Sequence, residues 1–93
     1  MGLGDIARAQ QDHGAARSSY EQARALNAEV GDRQRVARCL VGLGWTALDR
    51  GDDAEAQPWF AESLTIFTRL GDRAGVAGAL EGHGQAGGEA TQV

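Results

Sequence analysis

Few side chains in this chain are placed to do covalent or metal chemistry. The one cysteine, Cys39, and the two histidines, His13 and His83, stand in three separate stretches. A metal site needs three or four converging ligands at recognisable spacings, and these residues have none. A single cysteine also excludes an internal disulfide. A catalytic nucleophile needs an oriented base beside it. The sequence holds neither a Gly-x-Ser-x-Gly elbow nor a Walker-type phosphate loop. The residues therefore predict no catalysis, no metal and no cofactor. What remains is recognition chemistry. Trp45 lies off the apolar stripe of its segment, where a large aromatic serves either as an interface anchor or as packing against a neighbouring helix. Arg33, Arg35 and Arg38 cluster at the start of one helical segment, with Arg69 and Arg73 placed similarly further on. Cations there oppose the helix dipole. They read either as a surface for an acidic partner or as a solvated face paired with Glu29, Asp32 and Asp72.

Charge and composition narrow the partner further. The net charge is −4, and nucleic-acid affinity rests on a dense basic patch, so no nucleic acid is expected. All nine basic residues are arginine, which reads as coding bias in a GC-rich bacterial genome. No basic region precedes an apolar run at the N-terminus, so no signal peptide is visible. No apolar stretch reaches the ~18 residues of a membrane span, so no membrane contact is expected. Met1-Gly2 lacks the Ser or Thr of a myristoylation signal, since Ile6 stands in that place. The expected location is cytoplasmic. Ninety-three residues allow one small domain of modest stability.

The elements that position these residues are legible from an internal repeat. Gly31-Asp32-Arg33 recurs as Gly71-Asp72-Arg73, forty residues on (71 − 31). The same offset relates Val36-Ala37 to Val76-Ala77, Leu40 to Leu80, Gly42 to Gly82 and Gly44 to Gly84. It also relates Gly2-Leu3-Gly4 to Gly42-Leu43-Gly44, Asp12 to Asp52, Ala16 to Ala56 and Tyr20 to Phe60.

Helix signals share this register. Val36, Leu40, Leu43, Ala47 and Leu48 form a stripe of period 3.6, and Ala56, Phe60, Ser63, Leu64 and Phe67 form the next. Asp32, Asp52 and Asp72 stand as N-caps, and Gly31, Gly51 and Gly71 as helix stops. Asp52 with Glu55 resembles a capping box. The pattern predicts five helices, over residues 2–11, 13–30, 33–50, 53–70 and 73–86, with a disordered tail over 87–93. Turns of two or three residues make neighbours antiparallel. Pro58, inside a helix, removes one hydrogen bond and predicts a kink. Gly75, Gly78, Gly82 and Gly84 weaken the last helix by about 1 kcal/mol each relative to Ala, so it must fray or be held by packing.

The stretch from Ala37 to Thr68 resembles a tetratricopeptide repeat. The residues that carry the likeness are Leu40, Leu43-Gly44, Ala47, Gly51-Asp52, Glu55-Ala56, Phe60, Ser63 and Leu64. A first unit matches through Leu3-Gly4, Asp12, Ala16, Tyr20, Ala23 and Leu26, and a third through Ala77, Leu80 and Gly84. His83 stands where Leu43 stood. The likeness spans about residues 2–86 as one domain, in a forty-residue variety longer than the usual 34. It implies an all-α fold of antiparallel helix-turn-helix repeats stacked as a right-handed superhelix. It also implies a concave groove that binds peptides. The groove positions implied are Arg38, Val41, Gly42, Trp45, Leu48 and Asp49 in the second unit, Asp5, Arg8 and Ala9 in the first, and Glu81, Gly82 and Gln85 in the third. The carboxylate-clamp variety needs Lys and Asn in the groove. This chain has no Lys and a single Asn, Asn27, so that mode is not expected.

The functional expectation is a non-catalytic protein-interaction module that holds a peptide or helix in its groove, as part of a larger bacterial regulator. The alternative is a structural unit that self-assembles through exposed terminal helices, because two and a half repeats leave apolar edges at both ends.

Overall fold

The computed structural model of the chain describes residues 12–87. Within them four helices follow one another: α1 His13–Val30, α2 Arg33–Asp49, α3 Asp53–Leu70 and α4 Arg73–Gln85. The helix expected over residues 2–11 and residues 88–93 of the expected tail lie outside the described span. Gly87 closes the described span in the left-handed conformation, at φ 87°.

Each helix begins in the same way. Asp12, Asp32, Asp52 and Asp72 are the N-caps, twenty residues apart (32 − 12, 52 − 32, 72 − 52). Each carboxylate accepts the backbone N–H three residues on, at 3.0–3.1 Å. That bond satisfies one of the donors that a helix start leaves without a partner. Before three of these caps sits a glycine with positive φ, Gly31 at 78°, Gly51 at 79° and Gly71 at 71°. Only glycine enters that region without steric cost, so the Gly-Asp pair ends one helix and starts the next. The capping box expected at Asp52 and Glu55 is half formed. Asp52 accepts the Glu55 N–H at 3.0 Å, but the Glu55 carboxylate reaches across to Arg17 of α1 at 3.3 Å. A cross-helix cation has taken the side chain that would have turned back to the cap.

Consecutive helices pack as antiparallel hairpins, and α2 also touches α4. The centre of the structure is α2, covered by α1 on one side and α3 on another. Its residues Ala37, Cys39, Leu40, Gly42, Leu43, Gly44, Thr46 and Ala47 are all buried. A helix buried nearly all round needs small residues, because its backbone must come close to its neighbours.

The close approaches follow one rule: a ring rests on a glycine. The Tyr20 ring of α1 lies against Gly42 of α2, so closely that a Cβ there would overlap it. Forty residues on, the Phe60 ring of α3 lies in the same way against Gly82 of α4. The Phe60 ring also meets Gly44 of α2, where an added Cβ would come within 2.6 Å. The Phe67 ring occupies the space over Gly75 of α4. Phe60 is fully buried, with Ala47, Ala56 and Ala86 around it. These contacts explain how α4 forms despite its glycines. Each helical glycine costs about 1 kcal/mol relative to Ala, whereas truncating a buried Phe costs about 3–5 kcal/mol. Two rings seated on α4 therefore outweigh the helix preference given up at Gly75 and Gly82.

Pro58 does not interrupt α3, which runs unbroken from Asp53 to Leu70. It stands one turn and a half into the helix with its ring exposed, so only one backbone bond is forfeited.

Repeat-equivalent positions differ in burial where a neighbour is absent. Leu40 is 0 % exposed between α1 and α3, but its equivalent Leu80 is 41 % exposed. Ala37 is buried and Ala77 exposed. On α1, Leu26 is 64 % and Val30 76 % exposed, although Leu26 falls at a position where the repeat expects a packed residue. Its equivalent Ile66 packs on the cluster of Ala16, Tyr20, Leu40 and Leu43. No described helix covers α1 on its Leu26 side or α4 on its Leu80 side.

These contacts set opposite outcomes for three glycine-to-alanine changes. Gly42→Ala and Gly82→Ala place a methyl group inside a ring and should destabilise by about 1–3 kcal/mol. Gly78→Ala meets nothing within 4 Å and should stabilise by up to about 1 kcal/mol. Urea denaturation of the three variants measures both signs.

Candidate functional site

Among the described residues an opening lies between α2 and α4. It is a cavity of about 410 Å³ lined by Gln34, Arg38 and Val41 from α2, Ala74, Gly75 and Gly78 from α4, Phe67 from α3, and Asp72 at the turn between α3 and α4. Its width comes from the glycines. Gly78 carries no side chain, and a Cβ built there meets nothing within 4 Å. Gly75 is filled from behind by the Phe67 ring, which thereby becomes part of the cavity wall.

Two charged groups face this space, and they differ in how they are engaged. The Asp72 carboxylate accepts the Gln34 side-chain amide at 2.8 Å and the Gly75 N–H at 3.0 Å. The Gln34 bond, then the Gly75 bond, then the charge of Arg38 hold its carboxyl below the usual aspartate range. Asp72 is thus both the N-cap of α4 and a tie from that cap to the first turn of α2. Arg38 is exposed and makes no hydrogen bond or ion pair among the described residues.

Of the groove positions implied by the repeat, Arg38 and Val41 line the cavity. Trp45 is half-buried one turn further along α2. It meets Phe60 edge-on, at 5.4 Å between centroids and 78° between planes. The position read as off the core stripe is therefore joined to the core through its contact with Phe60. Leu48 packs on the same cluster. Gly42 and Gly82 are buried beneath rings and present no groove surface. Asp49 ends α2 on the exposed side, and Glu81 and Gln85 are exposed on α4. Asp5, Arg8 and Ala9 lie outside the described residues.

The residues not foreseen are Gln34, Phe67, Asp72, Ala74, Gly75 and Gly78. One signal was present. Gly78 is the forty-residue equivalent of Arg38 (78 − 38), so one unit offers a long cation where the next offers space. The Gln34–Asp72 bond joins residues far apart in sequence, and no local pattern announces it.

The arginine cluster is divided by the structure. Arg35 pairs with Asp32 at 3.3 Å on an exposed surface, which is the solvated pairing expected of such a face. Arg38 alone of the three lines the cavity. Elsewhere, Arg17 bridges Glu21 at 3.0 Å and Glu55 at 3.3 Å, and Arg24 lies over the Trp59 ring at 5.5 Å. These contacts tie α1 to α3.

Among the described residues no group of three or more His, Cys, Asp or Glu could hold a metal ion. No helix of the described residues is long and apolar enough to cross a membrane.

The helix pairs, their short turns and the repeated seats between them define a helical repeat protein. A tetratricopeptide repeat profile matches residues 1–86, and the chain belongs to the tetratricopeptide repeat family. The general role of such a chain is that of a protein-binding scaffold. No curated protein and no solved structure gives a significant match.

The engagement of Asp72 has a pH consequence. Its folded carboxyl titrates lower than in the unfolded chain, so its contribution is complete above the unfolded value of about 3.9. It is lost as pH falls through the lower folded value. Amide exchange in the first turn of α4 should accelerate over that acid window. Asp72→Asn keeps a capping side chain and should flatten this dependence.

Proposed function

We propose that this chain is a non-catalytic interaction module that holds a peptide or helix of a partner protein in the groove between α2 and α4. The cavity of about 410 Å³ carries this reading. It combines an apolar floor at Val41 and Phe67, a vacant side-chain position at Gly78 and a cation at Arg38. Few polar groups over an apolar surface is the usual composition of a recognition site. Trp45, half-buried on the next turn, extends the apolar surface along α2, and Glu81 and Gln85 flank it on α4. In this reading the helix pairs stack as a right-handed superhelix of the long-period variety, and Asp5 and Arg8 continue the groove on the first unit. The length of the repeat supports a place within a larger bacterial regulator.

Gly78 offers a clean test. A Cβ there meets nothing within 4 Å, so a large residue can project into the groove, and it removes a helix-weakening glycine. Peptides should be selected by display against the wild-type chain, then titrated against Gly78→Trp. The expected result is loss of binding by tenfold or more with the thermal midpoint unchanged or raised. Undiminished binding means that the groove is not the site.

A second reading is supported by the exposed apolar residues. Ile66 packs on a cluster containing Tyr20 and Leu40, and the equivalent face one unit back exposes Leu26, while the equivalent of Leu40 is exposed as Leu80. Two copies could bring such faces together end to end. Light scattering across a concentration series tests this: mass should double as concentration rises, and Leu26→Asp should return a monomer.

A further inference from the structure

We propose that the α2–α4 groove selects an internal acidic segment of its partner, with a Glu or Asp carboxylate on the Arg38 guanidinium and an adjacent aliphatic side chain over Val41, Phe67 and Gly78. This rests on the groove reading above and adds the chemistry of the occupant.

The charge balance inside the groove decides the sign. Two ionic side chains line it, Arg38 and Asp72. Asp72 is engaged on both carboxylate oxygens, Oδ2 by the Gln34 amide and Oδ1 by the Gly75 N–H. A ligand cation would compete with bonds that also cap α4. Arg38 presents five N–H donors, none of which is used by another described residue. The groove therefore offers unused donors at Arg38, while each Asp72 oxygen already accepts one bond. A guanidinium matches a carboxylate in a paired geometry.

The apolar part fixes what stands next to that charge. Val41 lies one turn beyond Arg38 on α2, and Phe67 and the bare Gly78 face it. A Cβ on Gly78 reaches no atom within 4 Å, so a branched aliphatic group of the ligand has space there. The net charge of −4 disfavours a polyanion. A single carboxylate beside an apolar side chain suits one arginine in an otherwise acidic chain.

The probes are short acetylated, amidated, fluorescein-labelled peptides, titrated by anisotropy against the full chain. One places a single Glu beside Leu in an otherwise neutral sequence. A second carries Gln for that Glu, a third Lys, a fourth phosphoserine, and a fifth is the Leu-Gln peptide with a free C-terminal carboxylate. The Leu-Glu peptide should bind about tenfold more tightly than its Gln counterpart at low salt and lose part of that margin at high salt. Arg38→Gln should abolish the margin, and Arg38→Lys should retain some of it. Arg38 is exposed, so neither change endangers the fold. Equal affinity for the Glu and Gln peptides, lost in Gly78→Trp, overturns the acidic selection and leaves the groove reading intact. Binding that survives Gly78→Trp overturns both. A preference for the Lys, phosphoserine or free-carboxylate peptide, or no binding by any peptide, overturns the proposal.

Discussion

The structure depends on one aromatic ring held against two bare backbones. Phe60 projects from α3, meets both Gly44 of α2 and Gly82 of α4, and forms a T-shaped pair with Trp45. Three helices meet at that ring. The arrangement works only because both partners lack a Cβ, which lets the helix axes approach while the ring fills the remaining volume. Tyr20 on Gly42 and Phe67 on Gly75 repeat the device at the neighbouring crossings. Glycine, the weakest of ordinary residues inside a helix, here stabilises the tertiary structure because what it removes is steric.

This device also shapes the surface. Seating Phe67 over Gly75 brings the ring to the wall of the α2–α4 groove. Gly78, one turn on, receives no ring, and its vacancy is the groove itself. The same residue type thus does opposite things on one helix: at Gly75 and Gly82 the missing side chain is replaced from within, and at Gly78 it is left open.

Much of the fold could be read from the chain because its determinants are local. The Gly-Asp pairs mark the helix ends and the 3.6-residue stripes mark the buried faces. The expected boundaries agree with the observed helices to within a residue. The twenty-residue spacing of the caps was the simpler regularity, but it is visible only when Asp32 and Asp72 are set beside Asp12 and Asp52 as members of one series. The site was less legible. Arg38 and Val41 followed from the repeat, but Gln34, Asp72 and Phe67 reach the groove through tertiary packing. Sequence spacing records which face a residue occupies, not which distant backbone lies opposite. Trp45 shows the same limit: its angular position set it off the stripe, and the nearness of Phe60 joined it to the core.

The aspartate caps carry a consequence for the order of assembly. Every helix start is secured by a bond three residues long, and every hairpin closes over a turn of two or three. Little chain entropy stands between a helix and its partner, so any adjacent pair can nucleate and recruit the next. The path has no obligatory first step.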